Sequence, residues 1–258
     1  MLHDSGRSTS FGVAARDYDR YRLGPPAEIL GRVLPESCSS ALDLGAGTGA
    51  MTRHLIARIP RVYAVDPDPR MREVLSSNCP EAIVLEGVAE EVPLPDACVD
   101  AVVMSSAWHW VDPDRAIPEV ARVLRDGGTL ALVWNRGDRG VPWVSDLDEF
   151  RRRATDTADA VYTQVSHFLQ DEWLPEGAPF DDIEISALEW STSVTREELS
   201  GMLTTYTGYL MAAPERKPAI LREYTDYVTN DPRLGTADAV EWPMLCHYWK
   251  ARRTDRDG

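Results

Sequence analysis

Asp43, Gly45, Gly47 and Gly49 stand at alternate positions of the segment Asp43-Leu44-Gly45-Ala46-Gly47-Thr48-Gly49. Glycines at this density let a backbone turn tightly and lie against a ligand with no Cβ between them. The short apolar run Ala41–Leu44 precedes them, and Met51, Leu55, Ile56 and Ile59 share one helical face after them. The loop therefore joins a strand to a helix. About twenty residues further on, Asp66 closes the next apolar run, Val62–Val65. A carboxylate there can accept hydrogen bonds from both hydroxyls of a ribose, or it can merely cap the helix that follows Pro67 and Asp68. In this order of strand, loop, helix, strand and acid, the segment reads as a nucleotide site. Asp43 should be half-buried at the foot of the loop. It either fixes loop amides or stands near an amino group of the ligand.

A second cluster, Trp108-His109-Trp110, follows the fourth apolar run, Val99–Met104, and Ser105. A histidine can serve as a general base near neutrality, or position a reacting group. Tryptophan faces attract cations with roughly 0.5–2 kcal/mol or stack on planar molecules. The plainer alternative has one tryptophan in the core and the other against a cap. Gly45, Gly47 and Ala50 also satisfy the G-x-G-x-x-A fingerprint of dinucleotide-binding folds, so an NAD-linked oxidoreductase is a competing possibility.

The elements that must hold these residues can be read from the pattern. The chain has 258 residues, enough for one sizeable α/β domain. Short apolar runs at Ala41–Leu44, Val62–Val65, Ala82–Leu85, Val99–Met104 and Thr129–Trp134 suit strands buried on both faces of a parallel sheet. Helical faces lie between them. One is Ile117, Val120, Ala121 and Leu124, with Asp112 as its cap and Pro113 in its first turn. A further helix is expected around Pro26–Leu34. Alternating β and α elements predict an α/β, doubly wound, Rossmann-like fold.

Beyond Arg136 the alternation stops. Helical, aromatic-rich sequence (Trp143, Phe150, Tyr162, Phe168, Trp173) leads to a strand at Ile183–Trp190. Helix-like stretches follow near Thr195–Tyr206 and Pro214–Val228. A last strand is expected at Trp242–Trp249, with Pro243 demoting its start, and the tail from Ala251 should be frayed. Trp143, Trp173, Tyr206 and Tyr209 in this half suit an apolar or planar small-molecule partner, and core packing would explain them as well.

Composition narrows the partners. A formal net charge of -15 argues against nucleic acid and against acidic membrane surfaces, both of which an acidic chain repels. Cys38, Cys79, Cys98 and Cys246 are scattered, so neither a disulfide scaffold nor a zinc site is expected, and a reducing cytoplasmic compartment is the simplest setting. The polar start Met1–Ser10 lacks the apolar core of a signal peptide, and no apolar run approaches the roughly 20 residues that span a bilayer. No clustered metal ligands are apparent; His167 is expected to be a bystander.

Taken in order, the motifs resemble those of the class I S-adenosylmethionine-dependent methyltransferases. Asp43-x-Gly45-x-Gly47-x-Gly49 looks like their first motif and Val65-Asp66-Pro67-Asp68 like their second. Gly87-Val88-Ala89-Glu90-Glu91-Val92-Pro93 resembles the third, whose Ala-Glu pair lies by the adenine. Ser105–Asp112 stands where the family's segment after strand four stands. Leu124-Arg125-Asp126-Gly127-Gly128 resembles its L-K-P-G-G turn, with Asp126 in place of the proline. Ala15-Arg16-Asp17-Tyr18-Asp19-Arg20-Tyr21-Arg22 is similar to a flap over the cofactor's methionine end in the group containing the ubiquinone/menaquinone-biosynthesis and trans-aconitate methyltransferases.

The resemblance covers roughly residues 11–135. It implies a seven-stranded, mostly parallel sheet with an antiparallel last strand and a helical cap. It also implies a single domain over 1–258: flap and helix at 1–35, cofactor-binding core at 36–135, cap insertions at 136–180 and 192–240, and final strands at 181–191 and 241–252. S-adenosyl-L-methionine is the implied cofactor, and methyl transfer to a small molecule by in-line displacement the implied reaction. The implied cofactor contacts are Tyr18, Tyr21, Arg22, Asp43, Gly45, Ala46, Gly47, Thr48, Gly49, Asp66, Pro67, Met71, Ala89, Glu90, Ser105, Trp108 and Trp110. His109 is the candidate base or positioning group. The alternatives are the NAD-linked oxidoreductase and a cofactor-binding relative without transfer chemistry.

Overall fold

Two-residue periodicity places the sheet between two cores. The computed structural model describes residues 15–155, 174–235 and 237–254. Met1–Ser10, Tyr162, His167, Phe168 and Trp173 lie outside them. Strand β1 (Ser40–Leu44) is buried at every position. Its neighbours are β2 (Arg61–Asp66), β3 (Ile83–Glu86), β4 (Val99–Ser105) and β5 (Leu124–Gly137). Leu42, Val102, Met104, Leu130 and Leu132 face one core, while Ala41, Ala101, Val103, Ala131 and Val133 face the other. Alternate side chains of a strand point to opposite faces, so a strand covered on both sides must be apolar throughout.

The sheet is completed by β6 (Phe180–Thr195) and β7 (Ala239–Arg253) in the order β3-β2-β1-β4-β5-β7-β6. Strands β1 to β5 pair in parallel, whereas β7 is antiparallel to both β5 and β6. Only β7 thus runs against the rest. The fold is the expected doubly wound, mostly parallel α/β sheet.

Strand β7 is longer at both ends than its apolar run suggests, and two details explain why. Pro243 lies within it. The Pro243 carbonyl accepts a 2.9 Å bond from Asp138 N–H, so its missing N–H also faces the β5 side, beyond the last β5 pairing at Met244. No ladder bond to β6 is lost there. At the other end the tail is not frayed at Ala251–Arg253. Arg253 is buried, donates to the Leu124 carbonyl and pairs with Asp126 at 3.0 Å.

Helices α1 (Ala15–Tyr21), α2 (Leu30–Val33), α3 (Thr52–Ile56), α4 (Pro69–Asn78) and α5 (Pro113–Val123) accompany the first half. Asp68 and Asp112 begin α4 and α5 alike, each accepting the amide two residues on while proline occupies the first turn. In the second half, α6 (Pro142–Ala154), α7 (Arg196–Leu203), α8 (Thr207–Leu210) and α9 (Lys217–Asn230) gather around β6 and β7. Val144, Leu147, Leu199, Leu203, Ile220 and Tyr224 form a third core there.

Candidate active site

Parallel strands carry ligands outside their carboxyl ends, at the point where strand order reverses. In this sheet that point lies between β1 and β4. A cavity of about 420 Å³ opens there, a size suited to a small ligand.

The loop after β1 forms one wall through Gly45, Ala46, Gly47 and Thr48. Gly45 has φ +74°, and a Cβ on it would fall 2.5 Å from the Ala107 Cβ, so only glycine fits. Gly49 lies off the wall. Its φ of +93° and its contact with Leu75 and Cys79 turn the chain into α3.

Asp66 reaches the cavity from the end of β2. Gly47 N–H donates to its Oδ2 and Asp68 N–H to its Oδ1, both at 2.9 Å. These bonds tie the carboxylate to the glycine loop and leave lone pairs for a ligand. Burial raises its pKa. The helix cap is Asp68, not Asp66. Pro67 and Met71 line the wall beside it, with Ala89 and Glu90 further along. Glu90 also accepts the Asp112 N–H at 2.7 Å, which fixes the start of α5 against this wall.

Asp43 is not half-buried but fully buried, because β1 is covered on both faces. It does not reach the cavity. Its Oδ2 accepts from Thr52 Oγ1 at 2.6 Å, and burial pushes its pKa up to about 7.

From β4, Ser105 and the short 3-10 turn Trp108–Trp110 supply the next wall. The two tryptophans part company. Trp108 is buried in the core and Trp110 lines the cavity beside His109, with ring centroids 4.6 Å apart. His109 has a pKa lowered to about 4, first by burial and then by the charge of Arg22. Its Nδ1 is buried without a hydrogen-bond partner among the described residues.

Tyr18 and Arg22 reach the cavity from α1 and the residue after it, whereas Tyr21 turns away against Gly201 of α7. The segment is pinned at several points. Arg53 and Asn78 bind Asp19 at 2.5 and 3.1 Å, and Asn135 at the end of β5 donates to the carbonyls of Leu23 and Gly24. The Arg22 guanidinium lies over the Tyr206 ring at 4.1 Å, and so does that of Arg151.

Several lining residues were missed from sequence. Asn135, Trp242, Asp148, Arg151 and Arg152 gave no motif, and Tyr206 was marked only as a cap aromatic. The one available signal was the basic run Arg151–Arg153, which reads as an exposed helix end. Trp143 and Tyr209 pack against the third core and do not line the cavity.

A family profile described as a methyltransferase domain matches residues 42–132. An uncharacterized methyltransferase of Mycobacterium tuberculosis is 39% identical over 238 residues, covering 92% of this chain and 93% of the relative. The chain belongs to the class I methyltransferase family. An uncharacterized methyltransferase-like protein of Schizosaccharomyces pombe is 29% identical over 255 residues, covering 96% of each chain. Among solved structures, a provisionally named type II methyltransferase of Anaeromyxobacter dehalogenans superimposes with a TM-score of 0.60 at 27% identity, covering 90% of this chain and 97% of that one. The reversed β7 between β5 and β6 also departs from the 3-2-1-4-5-6 order of dinucleotide-binding sheets, so the oxidoreductase alternative is not favoured for this methyltransferase.

Proposed function

We propose that the protein binds S-adenosylmethionine between the Gly45–Thr48 loop and Asp66 and methylates a small molecule held on the β5 and α6 side of the cavity. The carrying observation is the Asp66 carboxylate, fixed by two backbone N–H groups at the end of β2 and still able to accept from a ribose. Ala89 and Glu90 border the adenine, and Ser105 with Tyr18 borders the methionine end. Asp43, Gly49 and Trp108 act from behind the wall, by shaping the loop and packing beneath it, and Tyr21 holds the flap to α7. Within segments 136–180 and 192–240, the described residues serve as the acceptor cap. The flap sequence resembles that of the ubiquinone/menaquinone and trans-aconitate group.

Bound S-adenosylmethionine supplies an already activated methyl group on a positively charged sulfur, so alignment of the acceptor is the protein's principal task, worth roughly 7–11 kcal/mol. Trp110 offers an aromatic face near that charge. His109 is neutral at physiological pH and takes the proton of a hydroxyl acceptor at Nδ1. No clustered basic footprint for nucleic acid is required, and a cytoplasmic setting fits an enzyme with four free thiols. Among the described residues no helix is long and apolar enough to cross a membrane.

Incorporation of tritiated methyl from S-adenosylmethionine across acceptors with hydroxyl, amine, thiol and carboxyl groups tests the proposal. Transfer to at least one small acceptor is expected. Firm cofactor binding with no transfer to any of them would instead mark a binding protein without transfer chemistry.

A further inference from the structure

An acidic chain has gathered positive charge on one wall of this cavity. Of the described lining residues, β5 and α6 with the turn between them supply Arg136, Arg139, Arg151 and Arg152 against the carboxylate of Asp148, and Arg22 joins them from the end of α1, where the lining carboxylate Asp19 is already held by Arg53. Asp148 is shared, at 2.5 Å with Arg151, 3.5 Å with Arg152 and 3.7 Å with Arg139. The net charge of -15 makes this local excess the opposite of the molecular background. Arg151 is buried, and taking a guanidinium out of water is unfavourable unless an anion answers it; Asp148 does so, but its single charge is shared with Arg139 and Arg152.

The geometry around Tyr206 locates the excess. Arg22 and Arg151 each stand 4.1 Å from the Tyr206 ring centroid, so their guanidinium carbons are no farther apart than twice that distance. Arg22 adds an independent sign of a ligand. Its Nε is buried with no hydrogen-bond partner among the described residues, and the bond its Nη2 donates to the Thr205 carbonyl is long at 3.4 Å. A planar fork with an unused donor suits a carboxylate, which takes two parallel N–H bonds. Apolar side chains, Trp134, Val144, Leu147, Met202, Trp242 and Met244, make up much of the remaining wall.

Resting on the methyltransferase reading above, we infer that the methyl acceptor is an amphipathic carboxylic acid, its carboxylate held by Arg22 beside Tyr206, with Arg151 adding positive charge at the same ring, and its apolar, planar body against Trp134 and Trp242. The apolar or planar partner expected from sequence thus acquires a charge. Arg22 belongs to the acceptor side through its place on Tyr206 and its influence on His109.

Matched acids and primary amides separate charge from shape. 4-Hydroxybenzoate with 4-hydroxybenzamide, and cinnamate with cinnamamide, are titrated into the full-length protein alone and saturated with S-adenosylhomocysteine. The acids should bind about tenfold to a hundredfold tighter than their amides, as charge-assisted bonds would give. That preference should collapse in Arg22→Gln and in Arg151→Gln, and the acid-to-amide ratio within each variant is insensitive to partial unfolding. Arg22→Gln leaves the Arg151–Asp148 pair intact, so it stands if Arg151→Gln fails to fold. Amides binding as well as acids, absence of acid binding, or a preference that survives both substitutions overturns the inference. Acids that compete with S-adenosylhomocysteine also overturn it, since the guanidiniums would then serve the cofactor. Failure of S-adenosylhomocysteine to bind at all would refute the methyltransferase reading, while the acid-to-amide ratio is still read on the protein alone.

Discussion

His109 shows how a buried neighbourhood sets a residue's chemistry. Burial and the nearby Arg22 charge hold its pKa at about 4, so the imidazole is neutral wherever the enzyme works. If it takes the acceptor's proton, activity on a hydroxyl acceptor should show no inflection from His109 between about pH 5 and pH 8, and should fall only as pH approaches 4. His109→Gln should lower kcat by about a hundredfold while leaving S-adenosylhomocysteine affinity nearly unchanged. An inflection near the ordinary histidine value of about 6.5 that disappears in the variant would contradict this environment. Arg22→Gln should move the acid limb upward, because a positive neighbour is lost. Sequence gave His109 a place near the reacting centre but no protonation state. That state depends first on burial and then on Arg22, far away in the chain and brought close only by the flap.

At the scale of elements, the site depends on α1 being held against two parts of the molecule. Arg53 and Asn78 grip Asp19, while Tyr21 lies so close to α7 that a Cβ on Gly201 would come within 2.4 Å of its ring. Gly201→Ala should therefore displace the Tyr21 ring and loosen α1. Faster amide exchange over Ala15–Tyr21, with cofactor affinity weakened about threefold to tenfold, is the expected outcome. Unchanged exchange would mean that this contact does not hold the flap. The sheet was legible because strands buried on both faces must be continuous apolar runs, as at Ala41–Leu44 and Val99–Met104. The loop and Asp66 were legible because glycines and a strand-end acid at that spacing have few other uses. The wall proposed for the acceptor was not. Arg151 and Arg152 resemble any basic helix end until the packing of α6 shows which side is inward, and Asn135 matters only through carbonyls that α1 delivers. Two tryptophans one residue apart likewise could not reveal that Trp108 is core and Trp110 cavity.

For the whole molecule, buried titrating groups should shape stability in opposite directions. His109 and His247 have pKa values lowered to about 4, chiefly by burial. Unfolding below about 6.5 lets each bind a proton, so the stability they lend is present above that pH and lost as pH falls through 4. Asp43, raised to about 7, works the other way. The unfolded carboxyl ionises from about 3.8 upward, so stability declines as pH rises to about 7 and then levels off. Asp43→Asn should consequently gain more over the parent protein near pH 8 than near pH 5, by about 1–3 kcal/mol in urea unfolding. An equal difference at both values would show that Asp43 is not held protonated. Choice of nucleotide also belongs to the whole molecule, since loop, flap and sheet must together select it. Calorimetric titration with S-adenosylhomocysteine and with NADH tests it most directly. Saturable binding of S-adenosylhomocysteine, weakened about tenfold or more by Asp66→Ala, is expected, with no comparable binding of NADH. Tight NADH binding without S-adenosylhomocysteine binding would contradict it.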